Sequence, residues 1–354
     1  MSAAKYRVIQ TKSSTGGIVE FLPALSIDYS ESLNGEGTCN VAIPLKCPEA
    51  DPLSLIPGIS GLAILRDNEP VWVGVIWTMS ADLDQGTLTL HAAGYLSYYR
   101  GRVLHDGYIR QADQSLIMKE WINDCNVANG VNTTTTGVAL TGRESRRSWT
   151  QYELKNIGEA MQELAEDDGG FNFRFAPYWK SGNGAVGNKL VISPRGGAEI
   201  PSALVHTENC NITAVSYDSA AMATRVYALG ADNGNGTKLV GIQDNFDLDA
   251  VMPTKHVVAS FTDVKQTETL IDKAAAMISA GREPVAIPTL TLYPGAFNPG
   301  TLIPGDTATV QADSGYVALF EQFVLTERRT TVDVNGTEIT TLALANKELF
   351  ISGD

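Results

Sequence analysis

Side chains able to do chemistry are few in this sequence, and they are scattered. The densest acidic run, Glu166-Asp167-Asp168, supplies the pair of carboxylates that glycoside hydrolysis requires. It falls at the C-terminal end of a predicted helix, where negative charge opposes the macrodipole and solvation is the simpler account. Asp244, Asp247 and Asp249 in DNFDLDA offer oxygen ligands of the kind calcium takes. An EF-type loop begun at Asp244 would carry Lys255 where the bidentate glutamate belongs. His91, His105, His206 and His256 form neither an HExxH nor an i, i+4 pair. A nucleophile elbow and a P-loop are both missing. Gly230-Ala231-Asp232-Asn233-Gly234 leads into a predicted strand, so no helix N-terminus is there to receive a phosphate. The expectation is a chain that is not an enzyme, with no catalytic, metal-ligating or cofactor-binding residue and no cofactor.

Cysteines and aromatics add little to this. Cys39, Cys47, Cys125 and Cys210 contain no CxxC pair; reduced thiols are expected, with a Cys39–Cys47 bridge left open. Trp72 and Trp77 stand an odd number of residues apart on one strand and so face opposite sides. Trp121, Trp149 and Trp179 fall in the middle of the chain, as core or as an anchor at a subunit contact.

Forty carboxylates against 26 Lys and Arg give a net charge of −14 over 354 residues. That balance argues against tracking a nucleic-acid backbone, which needs a basic stripe, and against docking on anionic lipid. The opening MSAAKYRVIQ has no apolar run of the signal-peptide kind, and no 18 consecutive apolar residues occur anywhere. Synthesis in the cytoplasm is expected, without glycosylation at Asn132, Asn211, Asn235 or Asn335.

The elements that would hold these residues are mostly strands. From residue 1 to about 104 short apolar or alternating runs are separated by turns. Leu25, Ile27 and Tyr29 alternate, as do Cys39, Val41 and Ile43 after Asn34-Gly35-Glu36-Gly37. A turn at Asp67-Asn68 precedes Val71, Val73 and Val75 on one face, and Asp84-Gln85-Gly86 turns the chain again. Helical spacing begins near residue 113: Ile117, Trp121 and Cys125 share a face, with Met118 and Ile122 beside them. Thr150 and Glu153 have capping-box spacing before a stripe of Leu154, Ile157, Met161 and Leu164. FNFRF and NKLVISP then read as two strands. Beyond residue 205 the pattern is β again, apart from a helix expected from about Thr262 to Ala280 with Val264, Leu270, Ile271, Ala274, Met277 and Ile278 on its apolar side. Asn335-Gly336 predicts a two-residue hairpin turn. The fold class expected is mainly β with an α+β insert. Residues 1–104 and 205–354 form two small β-barrel-like domains, the second with one helix, flanking an α+β domain at 105–204.

Two stretches resemble the baseplate hub, or minor tail protein, family of long-tailed phages. One is ILRDNEPVWVGVIW followed by GTLTLHAAGYLSYYRGR, a hairpin and then an aromatic-rich strand leaving the first barrel. The other is LIPGDTATVQ followed by FEQFVLTERRTTVDVNGTEITTLALAN, where a Pro-Gly-Asp turn opens a strand and a long hairpin ends the chain. The resemblance implies a homotrimer around the tail axis whose two barrels per subunit match a sixfold tube above. Its implied partners are distal tail or tail tube proteins, the end of a tape-measure protein, and tail fibre or spike proteins below. DNA would pass through without specific binding, and the location would be the virion tail tip. The chain stops at Asp354, just past the last hairpin, so receptor-binding or wall-degrading extensions are expected on other proteins. The competing expectations are a carbohydrate-binding or a cell-wall-hydrolysing tail protein. Subunit contacts are expected along the Pro294–Gly305 connection, at Pro294, Phe297, Pro299 and Pro304, and at the Ala231–Gly236 tip, at Asn233 and Asn235. Residues facing the trimer axis are expected to be net acidic, so that the duplex is repelled and centred.

Overall fold

Strands that alternate over a buried face open the chain: β1 (Tyr6–Lys12), β2 (Ile18–Leu22), β3 (Ser26–Ser32), β4 (Thr38–Pro44), β5 (Ser60–Arg66), β6 (Glu69–Asp82) and β7 (Thr87–Gly94). The structure, a computed structural model, describes residues 4–347 except 167–169, 181, 183, 233, 235, 262, 263 and 265. The seven strands lie side by side in the order β3-β4-β7-β6-β5-β1-β2. Cys39, Val41 and Ile43 of β4 are fully buried, as their alternation requires. Strand β5 is apolar without alternation because both of its faces are covered. Leu62 and Ile64 face one core, whereas Ala63 and Leu65 face another built with the helices that follow. Asp67 and Asn68, at φ of 52° and 69°, make the left-handed two-residue turn to β6.

Two bulges in β6 alter the expected alternation. The register slips between its pairing with Ile64 and with Leu65 of β5. Val71 therefore packs with Trp72 on the first core, and only Val73 and Val75 reach the second. Past β7 the expected aromatic strand is a short helix, α1 (Leu96–Arg100). Its Leu96 and Tyr99 are buried under the next unit.

That unit contains β8 (Tyr108–Asp113), α2 (Gln114–Val127), β9 (Glu144–Trp149), α3 (Ile157–Ala165), β10 (Phe171–Trp179) and β11 (Val186–Pro194). Ile117, Met118, Trp121, Ile122 and Cys125 of α2 are all buried, as their spacing predicts. Helix α3 starts later than expected. Asn156 caps it by accepting from Glu159 N–H at 3.1 Å, whereas Thr150 and Glu153 bond to each other in an isolated turn before it. Leu154 is exposed at φ 43° and outside the stripe. Spacing alone did not separate the two caps, because Asn156 satisfies the orphan N–H groups equally well.

The remainder is β12 (Leu204–Val205), β13 (Cys210–Asp218), β14 (Arg225–Asp232), β15 (Lys238–Asp244), α4 (Phe246–Asp249), β16 (His256–Ser260), α5 (Thr267–Ala280), β17 (Val285–Leu292), β18 (Thr307–Ser314), β19 (Val317–Val332) and β20 (Glu338–Asn346). Strands β14, β15 and β16 form a separate three-stranded sheet, β15-β14-β16, packed on α5 over a small core of Val226, Ala228, Leu270 and Ala274. Gly241 lets α5 lie close, since a Cβ there would sit 2.5 Å from the Leu270 carbonyl carbon. Ile271, expected on the apolar side, is 38% exposed; the small unit offers α5 too narrow a face to cover it.

The final strands rejoin the first sheet. Strand β19 has 16 residues, roughly 50 Å at strand rise. Along one edge it pairs first with β18, through Val317–Val324, and then with β3, through Glu327–Val332. A register shift between Leu325 and Glu327 in its pairing with β20 marks the changeover. The result is a mainly β protein in which 13 strands from both ends of the chain make one sheet. The Asn335-Gly336 turn is longer than two residues. Asp333 accepts from Asn335 N–H and Thr337 N–H while Gly336 takes φ 78°, so the glycine serves as the left-handed position of a five-residue connection.

Candidate assembly surfaces

Among the described residues, most of the groups singled out for chemistry are held apart by local partners of their own. Asp244 is bound by Arg225 at 2.5 and 3.2 Å. That hydrogen-bonded pairing holds its carboxyl below the usual range. Asp249 accepts from Thr254, and Asp247 lies on exposed α4. Among the described residues no three His, Cys, Asp or Glu are grouped to hold a metal ion. Glu166 is the C-cap of α3; Asp167 and Asp168 lie outside the described residues. His91 sits between Asn40 Oδ1 and Ser80 Oγ at 2.7 and 3.0 Å. His206 Nδ1 accepts from Ile212 N–H at 3.0 Å. His256 stacks edge-on against Tyr227, and His105 is exposed beside Asp106. Each histidine has a structural partner. All four cysteines are free thiols, Cys39, Cys125 and Cys210 buried and Cys47 half-buried. Cys39 and Cys47 are thus not bridged in this structure.

The tryptophans divide as their positions suggest. Trp72 is buried and donates to Ser30 O, whereas Trp77, at a bulge, is exposed and donates to Ser97 Oγ. Trp121 and Trp149 pack with Tyr108 at centroid distances of 5.8–6.0 Å. Trp179 Nε1 donates to Asn68 O at 2.9 Å, tying β10 to the β5–β6 turn. No exposed aromatic row lies on one sheet face among these five.

The expected contact segment is partly interior. Along the connection from β17 to β18, Pro294 is exposed, and Phe297 is half-buried against the core of β17–β20. Pro299 opens a 3-10 turn, Pro299–Thr301. Pro304 is buried. Gly305, at φ 103°, passes so close to Asn172 that a Cβ would meet its Nδ2 at 2.6 Å. Asn233 and Asn235 lie outside the described residues.

What the sequence did not reveal is how the units are joined. Asn34, at the tip of the β3–β4 turn, accepts from Phe173 N–H through Oδ1 at 2.7 Å and from Gln162 Nε2 through its carbonyl at 2.9 Å. Glu31 receives Arg174 on one oxygen and Arg328 on the other, at 2.9 and 2.8 Å. At the other end of β3's core, Glu338 receives Arg66 at 2.8 Å and Tyr6 OH at 2.5 Å. These bonds tie the first sheet to the helical unit and to the last hairpin.

Among the described residues, three of the open surfaces carry apolar side chains as follows. A cleft of about 450 Å³ beside edge strand β2 is lined by Phe21, Leu22, Ile27, Val332 and Val334, with the Arg7 guanidinium 5.9 Å from the Phe21 ring centroid. The β8–β9 hairpin turns Ile109 and Arg146 outward, opposite to the Tyr108–Trp149 face packed on α2. The β14–β16 sheet leaves Val240, Ile242 and Val258 exposed on the face away from α5. Alternation in GYIRQAD and KLVGIQD is the signal that could have marked the last two, since both faces of each segment carry apolar residues.

No protein-family model matches the chain, and no curated protein matches it in sequence. Among solved structures it is similar to the 43 kDa tail protein of prophage MuSo2 from Shewanella oneidensis, at 13% identity and TM-score 0.65, over 97% of this chain and 99% of that one. A tail protein from Neisseria meningitidis MC58 is similar at 15% identity and TM-score 0.62, over 98% of each chain. An E. coli component of the type VI secretion system, itself described as structurally similar to the T4 bacteriophage tail proteins gp27 and gp5, is similar at 10% identity and TM-score 0.50, over 91% of this chain and 73% of that one. The chain as a whole therefore has the fold of these phage tail proteins.

Proposed function

We propose that the chain is a structural hub of a phage tail tip, located in the virion and not an enzyme. The observation that carries this reading is the end-to-end fold likeness to a prophage tail protein, with 97% of one chain matching 99% of the other. In this reading residues 1–104 and 205–354 act as two barrel-like domains around an α+β domain at 105–204. In support of the division, the last strands have a core of their own around Leu290, Val310 and Phe323, and the helical unit supplies most of a second core, to which the first sheet adds Ile9, Ala63, Leu65, Val73 and Val75. Three copies form a ring that joins the end of the tail tube to tip fibres or a spike and surrounds the DNA exit channel. The partners are distal tail or tube proteins, the C-terminus of a tape-measure protein and the fibre or spike proteins. Pro294, Phe297, Pro299, Asn233 and Asn235 contact neighbouring subunits, and buried Pro304 fixes the path of the connection that carries the first three. Residues facing the axis are net acidic, in keeping with the −14 charge, so that phosphates are repelled rather than held.

The test is a count of copies in a reconstructed tail tip. Three around the axis is expected, and six or one would refute the hub. Surface charge mapped on that ring decides the channel, where a basic wall would overturn the electrostatic part. Replacing axis-facing Asp or Glu with Lys should leave assembly intact and slow genome ejection.

A further inference from the structure

We propose that residues 219–284 swing as one body about two adjacent chain crossings, at 218–219 and 282–284, an inference that does not depend on the hub reading. Asp218 and Val285 are cross-strand partners at the end of the β13–β17 ladder. Everything between them therefore leaves the 13-stranded sheet and returns to it at one point. The segment has its own sheet, β15-β14-β16, and a core of Ala223, Val226, Ala228, Leu270 and Ala274 drawn from its own residues. The other units are cross-tied through Glu31, Asn34 and Glu338. By contrast, the pairing of Arg225 with Asp244, of Tyr227 with His256 and of Lys273 with the Phe261 ring is internal to the segment. Units of one chain move against each other unless a large apolar interface joins them. The face of this sheet away from α5 is open, with Val258 62% and Ile242 47% exposed.

The two crossings are built to turn together. A Cβ on Gly281 would meet Ala221 O at 2.2 Å, so the outgoing and returning chains lie against each other. Lys255 Nζ donates to Ser219 O and Ala220 O at 2.9 and 2.7 Å, which clamps the outgoing chain to the segment. An exposed hydrogen bond from Ala220 N–H to Asp218 Oδ1, at 2.8 Å, spans the first crossing and holds its resting angle. Arg282, Glu283 and Pro284 on the second crossing are all exposed. A few such loop residues are what a hinge uses to absorb a change in φ and ψ. In a tail tip the 13-stranded sheet stays fixed while the inserted unit changes its angle.

Pulsed electron–electron resonance on the full chain tests the hinge. In a Cys47→Ser background the remaining cysteines are buried, and nitroxide labels are placed at pairs of exposed positions. Lys238→Cys with Gln311→Cys spans the hinge, Val258→Cys with Asp247→Cys lies inside the segment, and Leu83→Cys with Gln311→Cys lies inside the body. Each variant is first checked for unchanged melting. The distance distribution across the hinge should be roughly twice as wide as either control, or wider. Lys255→Met releases the outgoing chain and should widen it further while both controls stay as they were. A distribution across the hinge as narrow as the controls overturns the proposal. So does a Lys255→Met protein in which the pair inside the segment broadens as much as the pair across the hinge, because the unit is then unfolding and not turning. An unchanged width in Lys255→Met overturns the placing of the pivot at 218–219.

Discussion

Glu31 and Arg328, 297 residues apart, meet with Arg328 Nη2 donating to Glu31 Oε2 at 2.8 Å, where the arginine side chain is only 3% exposed. Arg328 also donates to Leu302 O at 3.1 Å, and Glu31 holds Arg174 on its second oxygen. One carboxylate therefore joins the first sheet, the helical unit and the last hairpin. Glu31→Gln should destabilise the fold by roughly 3–5 kcal/mol, because the buried Arg328 guanidinium loses the charge of Glu31. Arg174→Ala, at a more exposed position, should cost about 1 kcal/mol or less. Denaturant unfolding of the three proteins checks this, and equal losses for the two variants would contradict it.

Asn34 has φ 49° and spends its amide oxygen on Phe173 N–H. Asn34→Gly keeps the left-handed conformation and loses the bond; Asn34→Ala loses the bond and adds strain. The alanine variant should be the less stable by about 1 kcal/mol, the usual penalty for a Cβ in that region. Urea midpoints in the same buffer decide between this order and the reverse.

Asp113 accepts from Ser115 N–H and Oγ–H, Thr141 N–H and Gly142 N–H. Burial opposes its charge, but these bonds outweigh it and hold the carboxyl below its ordinary value of 3.8. A depressed carboxyl contributes stability above its unfolded pKa and loses it as pH falls through the folded one. The loss should therefore come below pH 3.8, where Asp113→Asn should flatten the fall in melting temperature. A variant with the same acid slope as the parent would show that the β8–α2 junction does not depend on this carboxylate.

Burial pushes the Cys39 thiol well above its usual range and the Cys210 thiol up to about 11. With Cys125 also buried, a thiol reagent at neutral pH should label Cys47 first and slowly, with all four reacting only on unfolding. Rapid native labelling at more than one site would mean that these cores open.

The sequence by itself determined the local elements. Alternation located the strands around Cys39, Val41 and Ile43, helical spacing defined the buried face of α2, and Asp67-Asn68 marked the β5–β6 turn. Those properties depend on side chains within a few residues of one another, which is the range over which periodicity and turn chemistry act. Tertiary structure decided the rest. It chose Asn156 over Thr150 as the α3 cap, placed bulges that move Val71 and interrupt the β6–β7 register at Trp77, and gave β14–β16 a core of its own on α5. It also fixed the pairing of β19 with both β18 and β3, and brought Glu31 to Arg328. Strand pairing depends on which backbone edges and charges meet across hundreds of residues, and a single strand's own pattern holds no record of its neighbour. The scatter of the histidines and cysteines could be read from residue spacing; which apolar faces stay open emerged only once the covered faces were known.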